Sequence, residues 1–261
     1  MSLIPWPLAS ILSRPNDRRR FFADLSLSVL GLQILEVQGY LENLVMGQAR
    51  EGPYVWVSWL SKLLAGDAHC EWALWFRAHY TYVKQKDETF DLATWKAAHG
   101  ELVRTRAREL RESGYEVFVE DQNKFALNGA AGALGGKPDI IAIHGDEVLV
   151  IDCKTGTRRS SDVLQVLVYM RVLPYVRPMC KDKHVLGEVR YLDSSVPVPA
   201  NALTSDIKSL ISTMMARACG VEPAAKVPSY AECSFCDITS GDCAERIEQE
   251  PAAEDVDHDI F

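Results

Sequence analysis

Two carboxylates and a lysine, Asp139, Asp152 and Lys154, stand at spacings that suit one small site. They bracket two short apolar runs, 139–143 and 147–154, rich in the branched residues that favour strands. Gly145-Asp146 between the runs has the composition of a two-residue hairpin turn. With His144 facing Glu147 across that turn, counting back along both strands puts Asp139 directly opposite Asp152. Cross-strand partners have Cβ atoms roughly 4.5–5.5 Å apart, and like charges placed there repel. Lys154, two residues beyond Asp152, emerges on the same face. A divalent cation removes the repulsion, because hard ions such as Mg²⁺ take carboxylate and carbonyl oxygens. The lysine can orient or deprotonate the attacking water, and together these are the parts for metal-assisted hydrolysis of a phosphodiester. An isolated Asp-x-Lys is a common tripeptide. Its weight here comes from lying opposite Pro138-Asp139 across a tight turn.

A second chemical set lies towards the C-terminus. Cys233, Cys236 and Cys243 form a compact trio that a fourth ligand would close into a metal or cluster site. Seven cysteines make an odd number for a disulfide framework. Cys153, Cys180 and Cys219 read as small buried hydrophobes.

The elements that must hold these residues follow from periodicity. Residues 57–80 carry Trp72, Trp75, Phe76 and Tyr80 at spacings of one helix face, the pattern of a packed core helix. A strong helix is expected over 92–112 and ends at Gly114. Residues 115–120 alternate as a strand with 125–127 as its partner, and the glycine-rich stretch 129–136 reads as a loop. Ser160, Ser161 and Asp162 are N-cap candidates for a helix running to about Val172 and stopped by Pro174. A strand over 187–192 and a helix over 203–219 precede the cysteine trio. The order of helix, strands, helix and strand gives a mixed α/β domain.

The chain has 261 residues, 48% of them apolar, enough for one sizeable core. No apolar run reaches the roughly 18 residues of a membrane span. The best candidate, 25–46, is interrupted by Glu36, Gln38, Glu42 and Asn43 and reads as an amphipathic helix. The N-terminal segment opens without the pattern of a signal peptide, so a cytoplasmic protein without membrane contact is expected, and its basic run Arg18-Arg19-Arg20 reads as a solvated helix start. The net charge of −8 is concentrated at the C-terminus, where residues 244–261 hold seven acids and one arginine. The rest of the chain therefore carries only about −2, which permits a local basic groove without indicating one.

Gly136-Lys137-Pro138-Asp139, Asp152-Cys153-Lys154 and Gln165-Val-Leu-Val-Tyr169 together resemble the PD-(D/E)xK nuclease superfamily, and the Gln-x-x-x-Tyr element resembles its RecB-type branch. The resemblance covers roughly 57–243. It implies a restriction-endonuclease-like core, a mixed central sheet flanked by helices, acting on DNA through Mg²⁺ or Mn²⁺. It makes Asp139 and Asp152 metal ligands, the Cys153 carbonyl a third, and Lys154 catalytic. Gln165 and Tyr169, four apart on one helix face, would sit beside the site and position the nucleic acid. An upstream helix contributes a further ligand in this family. His99 and Glu101 are the candidates, about 200° apart on a helix so that only one can face the site, and the RecB-type branch favours His99. Several RecB-type nucleases, AddB-like proteins and CRISPR-adaptation nucleases among them, hold a 4Fe–4S cluster between one early cysteine and three late ones. That pattern pairs Cys70 with Cys233, Cys236 and Cys243. The six-residue gap before Cys243 departs from the usual late spacing and keeps Zn²⁺ open as the alternative.

The expected organisation is a helical N-terminal extension over 1–56, the nuclease domain with its cysteine cluster over 57–245, and an acidic tail over 246–261. The tail ends in Phe261 and resembles the acidic tips by which single-stranded-DNA-binding proteins dock on protein partners. Single-stranded DNA, or DNA with free ends, is the expected substrate. The competing reading is a non-catalytic nucleic-acid-binding subunit of a repair or replication complex. The complete acid–acid–lysine set speaks against it.

Overall fold

The computed structural model describes residues 47–85 and 90–250. The amphipathic helix expected over 25–46, the Arg18-Arg20 run and the end of the acidic tail lie outside the described residues.

The carboxylate hairpin forms in the expected register. Strand β7 (Ile140–His144) runs antiparallel to β8 (Glu147–Lys154), with His144 facing Glu147 and Ile140 facing Ile151. Gly145 takes a φ of 57° at the turn while Asp146 does not go positive, the φ pattern of a type II′ hairpin with glycine first. Three more strands complete a five-stranded sheet: β4 (Glu116–Val119), β9 (His184–Tyr191) and β10 (Ser195–Val198). Its order is β10-β9-β8-β7-β4, antiparallel except between β8 and β9. This is the mixed central sheet that the sequence led us to expect.

Helices cover both faces of the sheet. The first, α3, spans Leu92–Glu112. Asp91 caps it by accepting from the amides of Ala93 and Thr94. Gly114, at φ 87°, ends it: its amide reaches the Arg111 carbonyl while the Tyr115 amide reaches Leu110, the two bonds of a Schellman turn. Leu102, Val103, Ala107 and Leu110 of α3 pack on Ile140, Ala142, Ile151 and Cys153. The alternate positions Ile141, Val148, Val150 and Val189 face the other way, onto α4 (Ser160–Val176). That helix is buried almost all round, because α1 (Val57–Ala65) packs against its outer side.

The cap and the stop of α4 differ from expectation. Arg159 is the N-cap, and Asp162 in the first turn accepts from the Arg159 amide at 3.0 Å. Pro174 lies within the last turn, where it forfeits one bond, and Arg177 still donates to Leu173. The last long helix, α5 (Ser205–Ala218), is capped by Thr204.

Residues 129–136 do not form one loop. Ala133–Gly136 is a strand, β6, at the centre of a three-stranded sheet between β2 (Tyr54–Trp56), which it meets in parallel, and β5 (Phe125–Asn128). So β5 pairs with β6 and not with β4, whose partner is β7. The glycines suit a strand that others crowd. A Cβ on Gly135 would coincide with the Tyr54 hydroxyl, and one on Gly136 would stand 2.7 Å from the Phe125 ring and 2.8 Å from Tyr169.

Residues 47–56 belong to this body as well. β2 joins the small sheet, and β1 (Gln48–Ala49) pairs with β3 (Tyr80–Thr81). Between them in sequence, α2 (Glu71–His79) buries Trp72, Trp75 and Phe76 as expected. Tyr80 leaves the helix for β3, though its ring still stacks on Phe76 at 4.9 Å. Among the described residues no helix is long and apolar enough to cross a membrane.

Candidate active site

Asp139 ends the loop before β7, and Asp152 sits near the end of β8. Both are buried, at 8% and 3% exposure. Asp139 Oδ2 accepts a 2.7 Å hydrogen bond from the Cys153 amide, so its side chain spans the gap between the two strands. The same oxygen lies 3.3 Å from His99 Nε2 on α3. Glu101 lies outward, where it binds Arg104 and Thr105. Of the two candidates, His99 is therefore the one that lines this cleft. The Trp95 ring stacks on the His99 imidazole at 5.1 Å and holds its plane.

Asp152 is held from the opposite side by α4. Gln165 Nε2 donates to Asp152 Oδ1 at 2.8 Å and lies 3.2 Å from the Tyr169 hydroxyl. Lys154 Nζ stands 2.7 Å from Asp152 Oδ2 and donates to Gln165 Oε1 at 3.2 Å. The ion pair is not aligned as a hydrogen bond, and Oδ2 is a buried oxygen with no donor of its own. Burial pushes the Asp152 carboxyl up to about 6; Lys154 opposes the shift and Asp139 adds to it. Burial works against the Lys154 ammonium, but Asp152 outweighs it and its pKa is raised, so it is charged at neutral pH. The hydrogen bond that His99 Nε2 donates to Asp139 raises the His99 pKa against its desolvation.

All the residues expected at the catalytic centre (Asp139, Asp152, Cys153, Lys154, His99, Gln165 and Tyr169) line one cleft of about 760 Å³. The Cys153 side chain faces the α3 side of the sheet, so only its backbone meets the site. The donor set suits a hard divalent cation: two opposed buried carboxylates, one with an unsatisfied oxygen, beside an imidazole. As the side chains stand, no three His, Cys, Asp or Glu groups among the described residues converge on one point. Each acid is instead engaged by a protein partner, Asp139 by Cys153 and Asp152 by Lys154 and Gln165.

Three supporting residues carried no sequence signal of this role. Asn123 is buried and its amide donates to the carbonyls of Phe118 and Pro138, at 2.9 and 3.1 Å, which fixes the Pro138-Asp139 backbone. Glu120 adopts a left-handed φ of 47° at the cleft, where its amide donates to the Asp139 carbonyl. Asp162, buried and bonded to the Tyr191 hydroxyl at 2.8 Å, adds a third carboxylate 3.9 Å from Lys154.

The four cysteines of the expected cluster, Cys70, Cys233, Cys236 and Cys243, line a different cavity, of about 480 Å³. All are free thiols, and Cys70 and Cys233 lie near enough to Cys243 to raise its pKa after burial. Cys153, Cys180 and Cys219 are buried elsewhere. The segment bearing the late trio is also fastened by ordinary bonds. Glu232 accepts from the amides of His69 and Cys70, and Asp237 binds Arg77, Tyr82 and Lys84. Asp242 accepts from the Gly47 amide.

No curated protein matches this chain. A solved structure titled "Crystal structure of SSO0001" is similar at 12% identity and a TM-score of 0.41, over 81% of this chain and 93% of its own. A family model described as the PD-(D/E)XK nuclease superfamily matches residues 67–240. That match takes in more than half of the chain and every residue of the cleft around Asp139 and Asp152 that the sequence had singled out, and the protein belongs to this superfamily of metal-dependent nucleases.

Proposed function

We propose that this protein is a metal-dependent deoxyribonuclease of the RecB-type branch that trims single-stranded or end-containing DNA. The observation that carries the reading is the cleft where Asp139, Asp152 and Lys154 meet His99, Gln165 and Tyr169. Asp139, Asp152, the Cys153 carbonyl and His99 would hold Mg²⁺ or Mn²⁺, whose charge stabilises the phosphate oxygens and lowers the pKa of attacking water. Lys154, charged through its contact with Asp152, orients the nucleophile and offsets charge building on the phosphate. Gln165 holds Asp152 Oδ1 and Lys154 Nζ at once, which fixes the spacing of acid and lysine. Tyr169 supports Gln165 from behind.

Cys70, Cys233, Cys236 and Cys243 would hold a 4Fe–4S cluster, with Zn²⁺ as the alternative; their sharing of one cavity supports the assignment. Such a group would join α2 to the C-terminal segment. The acidic tail over 246–261 would recruit a protein partner through Phe261, and the residues before Gly47 would form a helical extension. A role in DNA repair, recombination or CRISPR-type adaptation follows from the branch.

The test is digestion of end-labelled single- and double-stranded DNA with Mg²⁺ or Mn²⁺. Metal-dependent shortening from an end is expected, lost in Asp152→Ala. Cleavage that survives Asp152→Ala overturns the site. Absence of cleavage with retained DNA binding favours the non-catalytic subunit.

A further inference from the structure

Beside the catalytic cleft lies a second pocket of about 310 Å³, which shares Ser58, Lys154, Gly156 and Gln165 with it. Lys62 of α1 and Arg159, the N-cap of α4, line this pocket and reach the cysteine cavity as well, but do not line the catalytic cleft. Among the described residues neither side chain forms an ion pair or a hydrogen bond. The arrangement is unusual because cations crowd there. Desolvation lowers the Lys62 pKa, and Arg77, Arg159 and Lys154 add to the shift as like charges, although Lys62 and Arg159 both keep exposed surface. The carboxylate acting on Lys62, Asp237, is already bonded to Arg77, Tyr82 and Lys84. Asp162 also lines the pocket, but its Oδ2 is taken up by the Tyr191 hydroxyl and the Arg159 amide. The lining therefore offers two cations that have no ion-pair partner among the described residues, beside the hydroxyls of Ser58, Thr157 and Ser161.

Like charges held together without counter-charge cost folding free energy, and an anion removes that cost. A polynucleotide supplies anions at a fixed repeat: when one phosphate lies at Asp139 and Asp152, its neighbours lie one nucleotide away on either side. We propose that Lys62 and Arg159 form a subsite for a phosphate adjacent to the scissile one, so that the substrate is a polynucleotide strand gripped on the α1–α4 side of the cleft. The inference rests on the nuclease reading and adds direction to it. The strand leaves the acids past Lys154 and Gly156 and runs towards α1. Lys62 and Arg159 are positioning residues and touch no reacting atom.

The test compares two substrates and a modified one. Bis(p-nitrophenyl) phosphate has no neighbouring phosphate, whereas an oligonucleotide has one on each side. Lys62→Ala and Arg159→Ala should each raise KM for the oligonucleotide roughly tenfold, with kcat nearly held, and the loss should exceed that on the small ester by the same factor. A merely structural role lowers both substrates equally and overturns the proposal. An oligonucleotide scanned with single neutral methylphosphonates should lose affinity at one position beside the cleavage site in the native protein. The same substitution should cost Lys62→Ala little. Equal sensitivity of the two proteins at every position also overturns the subsite. If the native protein cleaves neither substrate, the nuclease reading itself fails. The methylphosphonate scan, read by fluorescence anisotropy with Ca²⁺, then decides the subsite alone by the same two outcomes.

Discussion

The amide of Cys153 donates to Oδ2 of Asp139 across the hairpin at 2.7 Å, so the first acid of the site also ties its two strands together. From charge alone, removing either acid should relieve cross-strand repulsion. This bond makes the two unequal. Asp139→Ala leaves a buried N–H without a partner and should cost about 1–3 kcal/mol. Asp152→Asn keeps an oxygen for Gln165 while deleting a buried charge, and should leave stability unchanged or raise it. Both variants should lose cleavage. Chemical denaturation in EDTA, run beside a cleavage assay, separates the effects; equal destabilisation by the two would refute the distinction.

The site should also imprint itself on the pH dependence of stability in chelator. Asp152 titrates near 6 in the folded protein and near 4 in an unfolded chain, so between those values the folded form holds the extra proton. Its contribution therefore falls as pH rises through that window. His99 acts in the same direction: its raised pKa gives stability that is full below about 6.5 and is lost as pH climbs past the folded value. Divalent metal competes with the same protons, so Mn²⁺ affinity should weaken as pH drops through 6. Melting temperatures against pH, with and without Mn²⁺, check this. Asp152→Asn should flatten the chelator curve in the acid window, and a curve of unchanged shape counts against the assignment.

Asp237 gives a third expectation, independent of any bound cluster. It gathers Arg77, Tyr82 and Lys84 onto the segment that carries Cys233, Cys236 and Cys243. Asp237→Ala strands the half-buried Arg77 and should cost about 3 kcal/mol, the low end for a broken buried pair. Cys70→Ser and Cys233→Ser should remove bound iron or zinc, whereas Cys180→Ser should not. Elemental analysis of anaerobically prepared protein reads the second effect. Metal content unchanged in Cys70→Ser would exclude that cysteine as a ligand.

Gly136 supplies the fourth. Alanine there meets the Phe125 ring at 2.7 Å and Tyr169 at 2.8 Å, a clash that costs about 1–3 kcal/mol in a packed core. Because Tyr169 touches Gln165, which holds Asp152, cleavage should fall along with stability. Phe125→Leu in the same background should restore part of the stability. A Gly136→Ala protein with native melting temperature and activity would mean that the crowding is relieved without consequence.

What the sequence made legible was local. A turn dipeptide between two branched runs set the hairpin register, and Gly114 marked the end of α3. The rest depended on partners far apart along the chain. Asn123 matters because three carbonyls of two other segments converge on its amide. β6 looked like a loop because glycines seldom favour strands, and the reason for them lies in Tyr54, Phe125 and Tyr169. Asp162 looked like a helix cap, which it is in part, but its second partner, Tyr191, lies on β9. The pairing of β5 was misread for the same reason, since adjacency in sequence favoured β4.

The long reach of the C-terminal segment has a bearing on the order in which the molecule is finished. Glu232, Asp237 and Asp242 fasten to His69, Arg77 and Gly47, partners separated from them by 163, 160 and 195 positions. Contacts of such separation form slowly, because so much chain must be ordered before they are made. The hairpin, α3 and α4 draw mainly on nearer neighbours. During synthesis the cleft can therefore assemble while Trp72, Trp75 and Phe76 still wait for their cover, Ile238 among it. A nascent chain whose residues from 232 onward have yet to emerge would hold a formed cleft beside a bare aromatic patch, the sort of surface that chaperones engage.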